Sequence, residues 1–216
     1  VASRDSKVDR FIYASSSSTY GDNKTLPKVE DHVGKPLSPY AVTKQINELY
    51  ADVFAKTYGL KIIGLKYFNV FGPRQNTKGA YAAVIPLFIH SILNQTPVFI
   101  DGDGSQSRDF TFVSNVIQAN VKAALTTNES AFNQVFNIAL GETTSVKFIF
   151  ESVKNFANSS LEAEYRPSRP GDVKDSLANI TKAVKLLQYA PEVSVAEGLR
   201  YTFDWFVKNQ DFVREL

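Results

Sequence analysis

Apolar and polar positions along the chain recur with two periods, one typical of strands and one typical of helices. The short apolar runs RFIYA and KIIGLKY predict two strands, and the stretch between them predicts a helix over about 39–58. Strands that alternate with helices favour an α/β fold with a parallel sheet covered on both faces. The same two periods predict further strands at TPVFI, RDFTFV, QVFNIAL and LEAEYRP. They also predict helices over about 82–94, 116–125, 146–157, 181–187 and 195–209.

The order of these elements predicts two parts. Residues 1–71 are expected to belong to a doubly wound parallel sheet, whereas 72–216 mainly form a smaller α/β lobe that binds substrate, apart from about 107–140, which return to the sheet. The chain opens with VASRDSKVDRF, without a methionine, and these residues are typical of the end of a helix that leads into a strand. We therefore expect that the N-terminal half of the sheet domain is missing here, which would expose a strand edge.

Glycine spacing bears on where a dinucleotide would bind. A dinucleotide-binding turn has the pattern G-x-G-x-x-G between a strand and a helix. The only close glycine pair of that type is Gly102 and Gly104 in DGDGSQS, which lies between two predicted strands and is interpreted as a hairpin. The phosphate-binding turn is therefore not expected within these 216 residues.

Composition and charge argue against several classes of function. The chain is 44% hydrophobic and 21% charged, and its net charge of +2 without a basic run gives no indication of binding to nucleic acid or to a membrane surface. It has no cysteine, which excludes disulfides, cysteine nucleophiles and thiolate metal sites. No apolar stretch has the length of a transmembrane helix. We expect a cytoplasmic protein.

Tyr40 and Lys44 are the first candidates for catalysis. In SPYAVTK, Ser38 is a favourable N-cap and Pro39 suits the first helical position, so a helix is expected to begin there. Tyr40 and Lys44 then lie together on one helix face. The ammonium group favours the ionised phenolate, which can take a proton from a sugar or alcohol hydroxyl. YGDNK has the same spacing but consists of turn-forming residues, so the helix start distinguishes the first pair.

Four serines follow the first predicted strand, in ASSSSTYGD. Open α/β sheets bind ligands at the carboxyl ends of their strands, so these hydroxyls are expected at a ligand site. A serine there can hydrogen-bond a reacting oxygen and pass a proton toward a tyrosinate. A serine run alone is more often a polar loop, and the helix start at Tyr40 is what strengthens the functional interpretation.

Taken together, the motifs resemble those of the extended short-chain dehydrogenase/reductase family, specifically its nucleotide-sugar 4-epimerases. The resemblance implies a Rossmann-like, doubly wound sheet whose C-terminal part is residues 1–71, with NAD as cofactor, and a homodimer in the intact enzyme. The branch that looks most similar is that of the UDP-N-acetylglucosamine 4-epimerases. The motifs that carry the resemblance are FIYASSSSTYGD, SPYAVTK, GLKYFNVFGPRQ, AYAAVIP, GDGSQSRDF and RPGDVKDS.

This resemblance also implies roles for single residues. Tyr40 would be the catalytic base and would also contact the cofactor. Lys44 would be its partner and a ligand of the nicotinamide ribose, and Ser16 the catalytic Ser/Thr. Tyr67 and Phe68 would approach the nicotinamide. The remaining implied residues bind the UDP-sugar substrate: Ser17 and Ser18 with Asn69 at the sugar, Gln75, Ala83 and Val84 along the site, Phe99 on the uracil, Arg108 and Arg169 on the diphosphate, and Asp172 on a hydroxyl.

The implied reaction is a closed redox cycle at carbon 4 of a UDP-sugar. Tyr40 takes the hydroxyl proton while hydride passes to NAD, and the transient 4-keto sugar is reduced again from its other face. Related dehydratases and decarboxylases carry acidic residues where this chain has Ser17 and Ser18, which favours epimerisation. Ser176 stands where a tyrosine in some members blocks the 2-N-acetyl group, so UDP-N-acetylglucosamine is the favoured substrate, with UDP-N-acetylgalactosamine as product.

Alternative interpretations stay open at this point. The substrate is alternatively UDP-glucose or UDP-glucuronate, and the chain is alternatively a non-catalytic nucleotide-sugar-binding remnant. A serine hydrolase that uses His32 or His90 is disfavoured, because no serine lies in a G-x-S-x-G turn. Those histidines also lack the local spacing of a metal site, so no metal is expected.

Overall fold

The structure is a computed structural model that describes residues 1–76, 83–168 and 174–210. Two 3-10 turns cover Ser17–Tyr20 and Glu129–Ala131. The strands are β1 (Phe11–Ser16), β2 (Ile62–Tyr67), β3 (Val70–Phe71), β4 (Val98–Asp101), β5 (Ser107–Arg108), β6 (Thr111–Phe112), β7 (Gln134–Ile138), β8 (Thr144–Ser145) and β9 (Ala163–Arg166). The helices are α1 (Ala2–Asp5), α2 (Pro39–Tyr58), α3 (Val84–Leu93), α4 (Val113–Leu125), α5 (Val146–Phe156), α6 (Thr181–Leu187) and α7 (Val195–Lys208).

The chain folds into two compact units that alternate along the sequence. The first unit consists of Val1–Asn69, Ser114–Glu142 and Leu177–Glu192. The second consists of the described residues of the segments between and after these. None of the helices within the described segments is long and apolar enough to span a membrane.

The first unit is built on a parallel sheet with the strand order β1-β2-β7. Helix α2 packs on β1 and β2, and helix α6 packs on β7. The apolar run that predicted β2 is almost entirely buried, as expected of a strand covered on both faces. The α/β class and the parallel pairing predicted from the alternation of strands and helices are confirmed.

Strand β1 forms one edge of this sheet among the described strands. Beside it, Phe11 and Tyr13 together with Tyr50 and Phe54 of α2 line a groove of about 340 Å³. Phe11 and Tyr50 are both exposed. Apolar and aromatic side chains therefore line this edge of the described sheet.

The described residues of the second unit form three short strand pairs and three packed helices. Strands β3 and β6 and strands β4 and β9 pair in parallel, whereas β5 and β8 pair antiparallel. Helices α3, α5 and α7 pack against one another. A Cβ atom at Gly198 of α7 would lie 2.7 Å from a ring carbon of Phe112 and 2.9 Å from Phe71, so the absence of a side chain permits this close packing.

Two local predictions are wrong. Gly102 and Gly104 do not form a hairpin, because β4 pairs with β9 and β5 pairs with β8. Both glycines have φ of +78°, which turns the chain out of one strand pair and into another. The predicted strand RDFTFV is divided into β5 and β6, and helix α4 begins directly after β6.

Helix α2 begins and ends as its sequence predicts. The Ser38 hydroxyl oxygen accepts a hydrogen bond from the Ala41 amide at 3.1 Å, and Pro39 is the first helical residue. At the other end, Gly59 adopts φ of +64°, and its amide donates to the Ala55 carbonyl. Both ends of the helix that carries Tyr40 are therefore stabilised locally.

Removing the cap at Ser38 tests the contribution of this helix start. We expect Ser38→Ala to lower the free energy of unfolding by about 1 kcal/mol, because one amide of the first turn loses its acceptor. Urea denaturation followed by circular dichroism measures the change. Ser152→Ala within α5 is the control and should change stability by less than about 0.5 kcal/mol. Equal losses in both variants would contradict a specific capping role.

Candidate active site

The start of α2 presents the tyrosine and lysine predicted to act together. Tyr40 lies in the first turn and is 45% exposed, so its ring is accessible. The Lys44 Nζ lies 5.6 Å from the centroid of the Tyr40 ring. Nζ also donates a hydrogen bond to the Ala14 carbonyl oxygen at 3.0 Å. This bond anchors the lysine to β1 while leaving two further ammonium protons for other partners.

The serine run forms a 3-10 turn at the carboxyl end of β1. Ser16 caps it, since its Oγ accepts a hydrogen bond from the Ser18 amide at 3.2 Å. Ser17 is half-buried in the same turn. The Ser18 Oγ is buried and has no hydrogen-bond partner among the described residues. A buried hydroxyl without a partner is costly, so this oxygen is suited to bind a ligand.

Strand β2 ends beside this turn, because Ser16 is paired in register with Tyr67. The Tyr67 hydroxyl donates to Asn120 Oδ1 at 3.0 Å, and burial raises the pKa of Tyr67. The Phe68 side chain is fully buried and packs 6.0 Å from the Tyr20 ring, so it belongs to the core. Asn69 is exposed and has φ of +31°. A ligand can therefore approach Phe68 through its backbone and Asn69 through its side chain.

In the second unit, Arg108 and Ser176 lie close together around Ser107. One guanidinium nitrogen of Arg108 donates to the carbonyl oxygens of Ser107 at 2.9 Å and Lys174 at 3.0 Å. The amide of Ser176 donates to the same Ser107 carbonyl at 3.1 Å. Two residues predicted to bind opposite parts of one substrate are thus joined to one short strand. Arg169 and Asp172 lie outside the described residues.

Phe99 presents an aromatic face beside an arginine. Its side chain is 39% exposed, and the guanidinium carbon of Arg166 lies 3.2 Å from the ring centroid. This stack is a cation–π contact that the sequence did not predict. An arginine and an aromatic ring in this arrangement form a flat surface suited to a planar base.

The other predicted lining residues lie on either side of the undescribed segment 77–82. Gln75 Nε2 donates to the Val70 carbonyl at 3.2 Å, whereas its Oε1 is buried without a partner in the described part of the chain. Ala83 is the N-cap of α3 and Val84 its first residue, and both are half-buried. Gln75 thus has an acceptor oxygen available for a ligand.

A buried polar cluster beneath the serine turn was not anticipated from the sequence. Lys66 is fully buried, and its Nζ lies 2.9 Å from each carboxylate oxygen of Glu48. It also donates to Thr19 Oγ1 at 2.7 Å, and Ser15 Oγ donates to Glu48. Burial lowers the pKa of Lys66, and the Glu48 carboxylate opposes that shift. Two features of the sequence could have indicated the cluster. Lys66 lies within an apolar strand, and Glu48 follows Lys44 by four residues.

The described residues contain no group of three or more acidic, histidine or cysteine side chains arranged to hold a metal ion.

The chain also matches a known protein family over the part that contains the Tyr40–Lys44 pair. Residues 1–139 match the family described as the NAD dependent epimerase/dehydratase family. The chain belongs to this family. The resemblance inferred from the sequence motifs is thereby confirmed, and NAD, the cofactor predicted from them, is the cofactor of the family.

The relatives of this chain carry names that refer to different UDP-sugars. A putative UDP-glucose 4-epimerase of Methanocaldococcus jannaschii is 38% identical over 204 residues, which are 94% of this chain and 64% of that protein. A UDP-glucuronate 4-epimerase of Thermodesulfobacterium geofontis is 33% identical over 215 residues, 99% of this chain and 64% of the relative. The chain thus spans less than two thirds of the length of these relatives.

A solved epimerase structure supports the Rossmann-like fold. The UDP-N-acetylglucosamine 4-epimerase from Methanobrevibacter ruminantium, in complex with UDP-N-acetylmuramic acid, superposes with a TM-score of 0.90 at 40% identity. The alignment covers 96% of this chain and 66% of that one. The predicted Rossmann-like α/β fold is therefore confirmed.

The described residues fit one end of the family's cofactor. The Lys44 ammonium group has donors beyond its bond to Ala14, and the Tyr40 ring is accessible. These are groups suited to ribose and amide oxygens. The glycine pattern that would bind the pyrophosphate is not part of this sequence, so the fit concerns the nicotinamide end alone.

Proposed function

We propose that the intact protein is an NAD-dependent UDP-sugar 4-epimerase that converts UDP-N-acetylglucosamine to UDP-N-acetylgalactosamine. The observation that carries the proposal is the Tyr40–Lys44 pair, anchored through Lys44 to the strand that ends in the Ser16 turn. Family membership supports the same chemistry. NAD, when bound, accepts a hydride from the sugar and returns it.

Tyr40 is the acid and base of this reaction. As phenolate it takes the proton from the hydroxyl on carbon 4, and as phenol it returns a proton when the 4-keto sugar is reduced. The Lys44 Nζ lies 5.6 Å from the centroid of the Tyr40 ring, so a positive charge stands beside the reacting group. Ser16 hydrogen-bonds the reacting oxygen. Ser17 and Ser18 carry no carboxyl group, so this turn lacks the additional acid that elimination of water requires.

Cofactor and substrate use different residues. Lys44 binds the nicotinamide ribose, and the segment Tyr67–Phe68 borders the nicotinamide, with Phe68 contributing its backbone because its side chain is buried. Arg108 and Arg169 bind the diphosphate of the UDP-sugar, because a guanidinium group donates well-placed hydrogen bonds to phosphate oxygens. The residues proposed for UDP-sugar binding are Ser17, Ser18, Asn69, Gln75, Ala83, Val84, Phe99, Arg108, Arg169, Asp172 and Ser176.

The intact enzyme is further proposed to form a homodimer through α2. Leu49 and Val53 of this helix are 62% and 54% exposed, and Val42 and Ile46 are exposed as well. A helix with so much exposed apolar surface is suited to packing against another helix. Packing through these side chains does not require any change at the helix start, where Ser38 caps α2.

Proton NMR of the anomeric signals tests the proposed activity. The complete gene product should convert UDP-N-acetylglucosamine to UDP-N-acetylgalactosamine faster than it converts UDP-glucose to UDP-galactose. Faster conversion of UDP-glucose or UDP-glucuronate would retain the epimerase and change its substrate. The absence of conversion of all three sugars by NAD-loaded protein would reject the epimerase proposal and favour a sugar-nucleotide-binding role.

Ser176 provides the sharpest test of sugar choice. We expect Ser176→Tyr to lower kcat/KM for UDP-N-acetylglucosamine about 10- to 100-fold, because a bulky ring occupies the space of the 2-N-acetyl group. Turnover of UDP-glucose, which lacks that group, serves as the internal control and should be retained. Parallel losses for both sugars would show that the substitution damages the site generally, against a selective role for Ser176.

A further inference from the structure

Lys66 and Glu48 form a buried ion pair where the sheet, the serine turn and helix α2 meet. The Lys66 side chain is fully buried, and that of Glu48 is 16% exposed. Burying two charges is costly unless they are paired and fully hydrogen-bonded. Such a pair contributes little net stability compared with apolar residues of similar size.

On one side, the pair fixes the serine turn. Lys66 Nζ donates to Thr19 Oγ1 at 2.7 Å, and Thr19 Oγ1 donates to the Ser16 carbonyl oxygen at 2.9 Å. Nζ also lies 4.9 Å from the centroid of the Tyr20 ring. The ammonium group therefore contacts Thr19 and Tyr20 at the end of the turn, and the Thr19 hydroxyl connects it to Ser16 at the beginning.

On the other side, the pair fixes the rotation of α2. Tyr40, Lys44 and Glu48 follow one another at intervals of four residues, so they form one stripe on the helix. Lys44 donates a hydrogen bond to the Ala14 carbonyl, and the Glu48 carboxylate accepts a hydrogen bond from the hydroxyl of Ser15, the next residue of β1. Two successive contacts with one strand thus determine which way the stripe, and Tyr40 at its beginning, faces.

We infer that Lys66 and Glu48 are positioning residues, which hold the Ser16 turn and the Tyr40 stripe of α2 in one fixed arrangement. This inference rests on the proposed function for its catalytic consequence, since Ser16 and Tyr40 must act on the same hydroxyl. The pair is largely buried and acts on the reaction through Ser16 and Tyr40. Loss of its charges leaves the chemistry intact and loosens the placement of the groups that perform it.

Replacing both charges together is the decisive experiment, because a single substitution would leave an unpaired buried charge. Lys66→Met combined with Glu48→Leu is expected to fold with a modestly lowered Tm, because the buried Ser15 hydroxyl loses its acceptor while no unpaired charge remains. In the complete gene product we expect kcat to fall about 10- to 100-fold with KM little changed, since small displacements of reacting groups have effects of this size. Asp52→Asn with Lys56→Met, an exposed pair on the same helix, is the matched control and should leave kcat unchanged.

Hydrogen–deuterium exchange of the same proteins gives a readout that does not depend on activity. Amides of 17–20 and 40–44 should exchange faster in the double variant than in the parent, while the control variant matches the parent. Unchanged exchange in both segments would overturn the inference, and so would an unchanged kcat in an active enzyme. If the parent protein epimerises no UDP-sugar, the proposed function fails, and exchange alone then decides the positioning role.

Discussion

Tyr40→Phe should reduce epimerase activity by about 10²- to 10⁴-fold, the range associated with loss of a positioned proton-transfer group. The substitution removes only the hydroxyl that is proposed to accept and return the substrate proton. Because Tyr40 is 45% exposed, the ring and the fold should remain as they are. The measurement is kcat by NMR or coupled assay on the complete gene product.

A second tyrosine on the same helix provides the control for this variant. Tyr50 is 65% exposed and lies well beyond the first turn, so Tyr50→Phe should leave kcat and Tm unchanged. Lys44→Met should lower activity as well, since it removes the ammonium group that is proposed to bind the nicotinamide ribose and that bonds to the Ala14 carbonyl. Near-parental turnover by Tyr40→Phe would remove Tyr40 as the base and leave the mechanism without its central group.

Asn137→Leu should lower the free energy of unfolding by about 3 kcal/mol, because it leaves several buried polar groups without partners. Asn137 is fully buried on β7. Its Oδ1 accepts the Tyr20 hydroxyl at 2.7 Å, and its Nδ2 donates to the carbonyl oxygens of Lys28 at 2.9 Å and Asn179 at 3.1 Å. Urea or thermal unfolding measures the loss.

Two further variants calibrate this effect. Tyr20→Phe removes one of the three side-chain bonds and should cost about 1 kcal/mol. Asn94→Ala removes an amide that is bonded to the His90 carbonyl at the surface, and should change stability by less than about 0.5 kcal/mol. A loss for Asn137→Leu as small as that for Asn94→Ala would contradict the role of Asn137 in joining these segments.

The elements that sequence reasoning predicted well are those governed by local rules. Helix α2 has the predicted cap at Ser38, and the predicted bounds at both ends, because capping and glycine termination act within a few residues. The juxtaposition of Tyr40 and Lys44 follows from the same local geometry. Strands β1 and β2 were equally evident from their apolar runs. Strand β2 is almost entirely buried, as such a run indicates, whereas β1 is an edge strand that is largely half-buried or exposed.

Local rules of capping and apolar patterning do not predict interactions between distant segments of the chain. The hairpin predicted at Gly102 and Gly104 is wrong because the partners of β4 and β5 come from β9 and β8, far along the chain. The Lys66–Glu48 pair was overlooked because a lysine or a glutamate is ordinarily placed at the surface when judged alone. Only the pairing of strands and the packing of α2 bring these two charges together.

The alternation of the two units along the chain has a consequence for biosynthesis. Asn137 lies in the second segment of the first unit and bonds to Lys28 in the first segment and Asn179 in the third. A chain that emerges from the ribosome N-terminus first cannot complete this unit until its last segment has been translated. Nascent chains that stop before Asn179 would therefore carry an unfinished core, and no single cleavage of the polypeptide would release either unit whole.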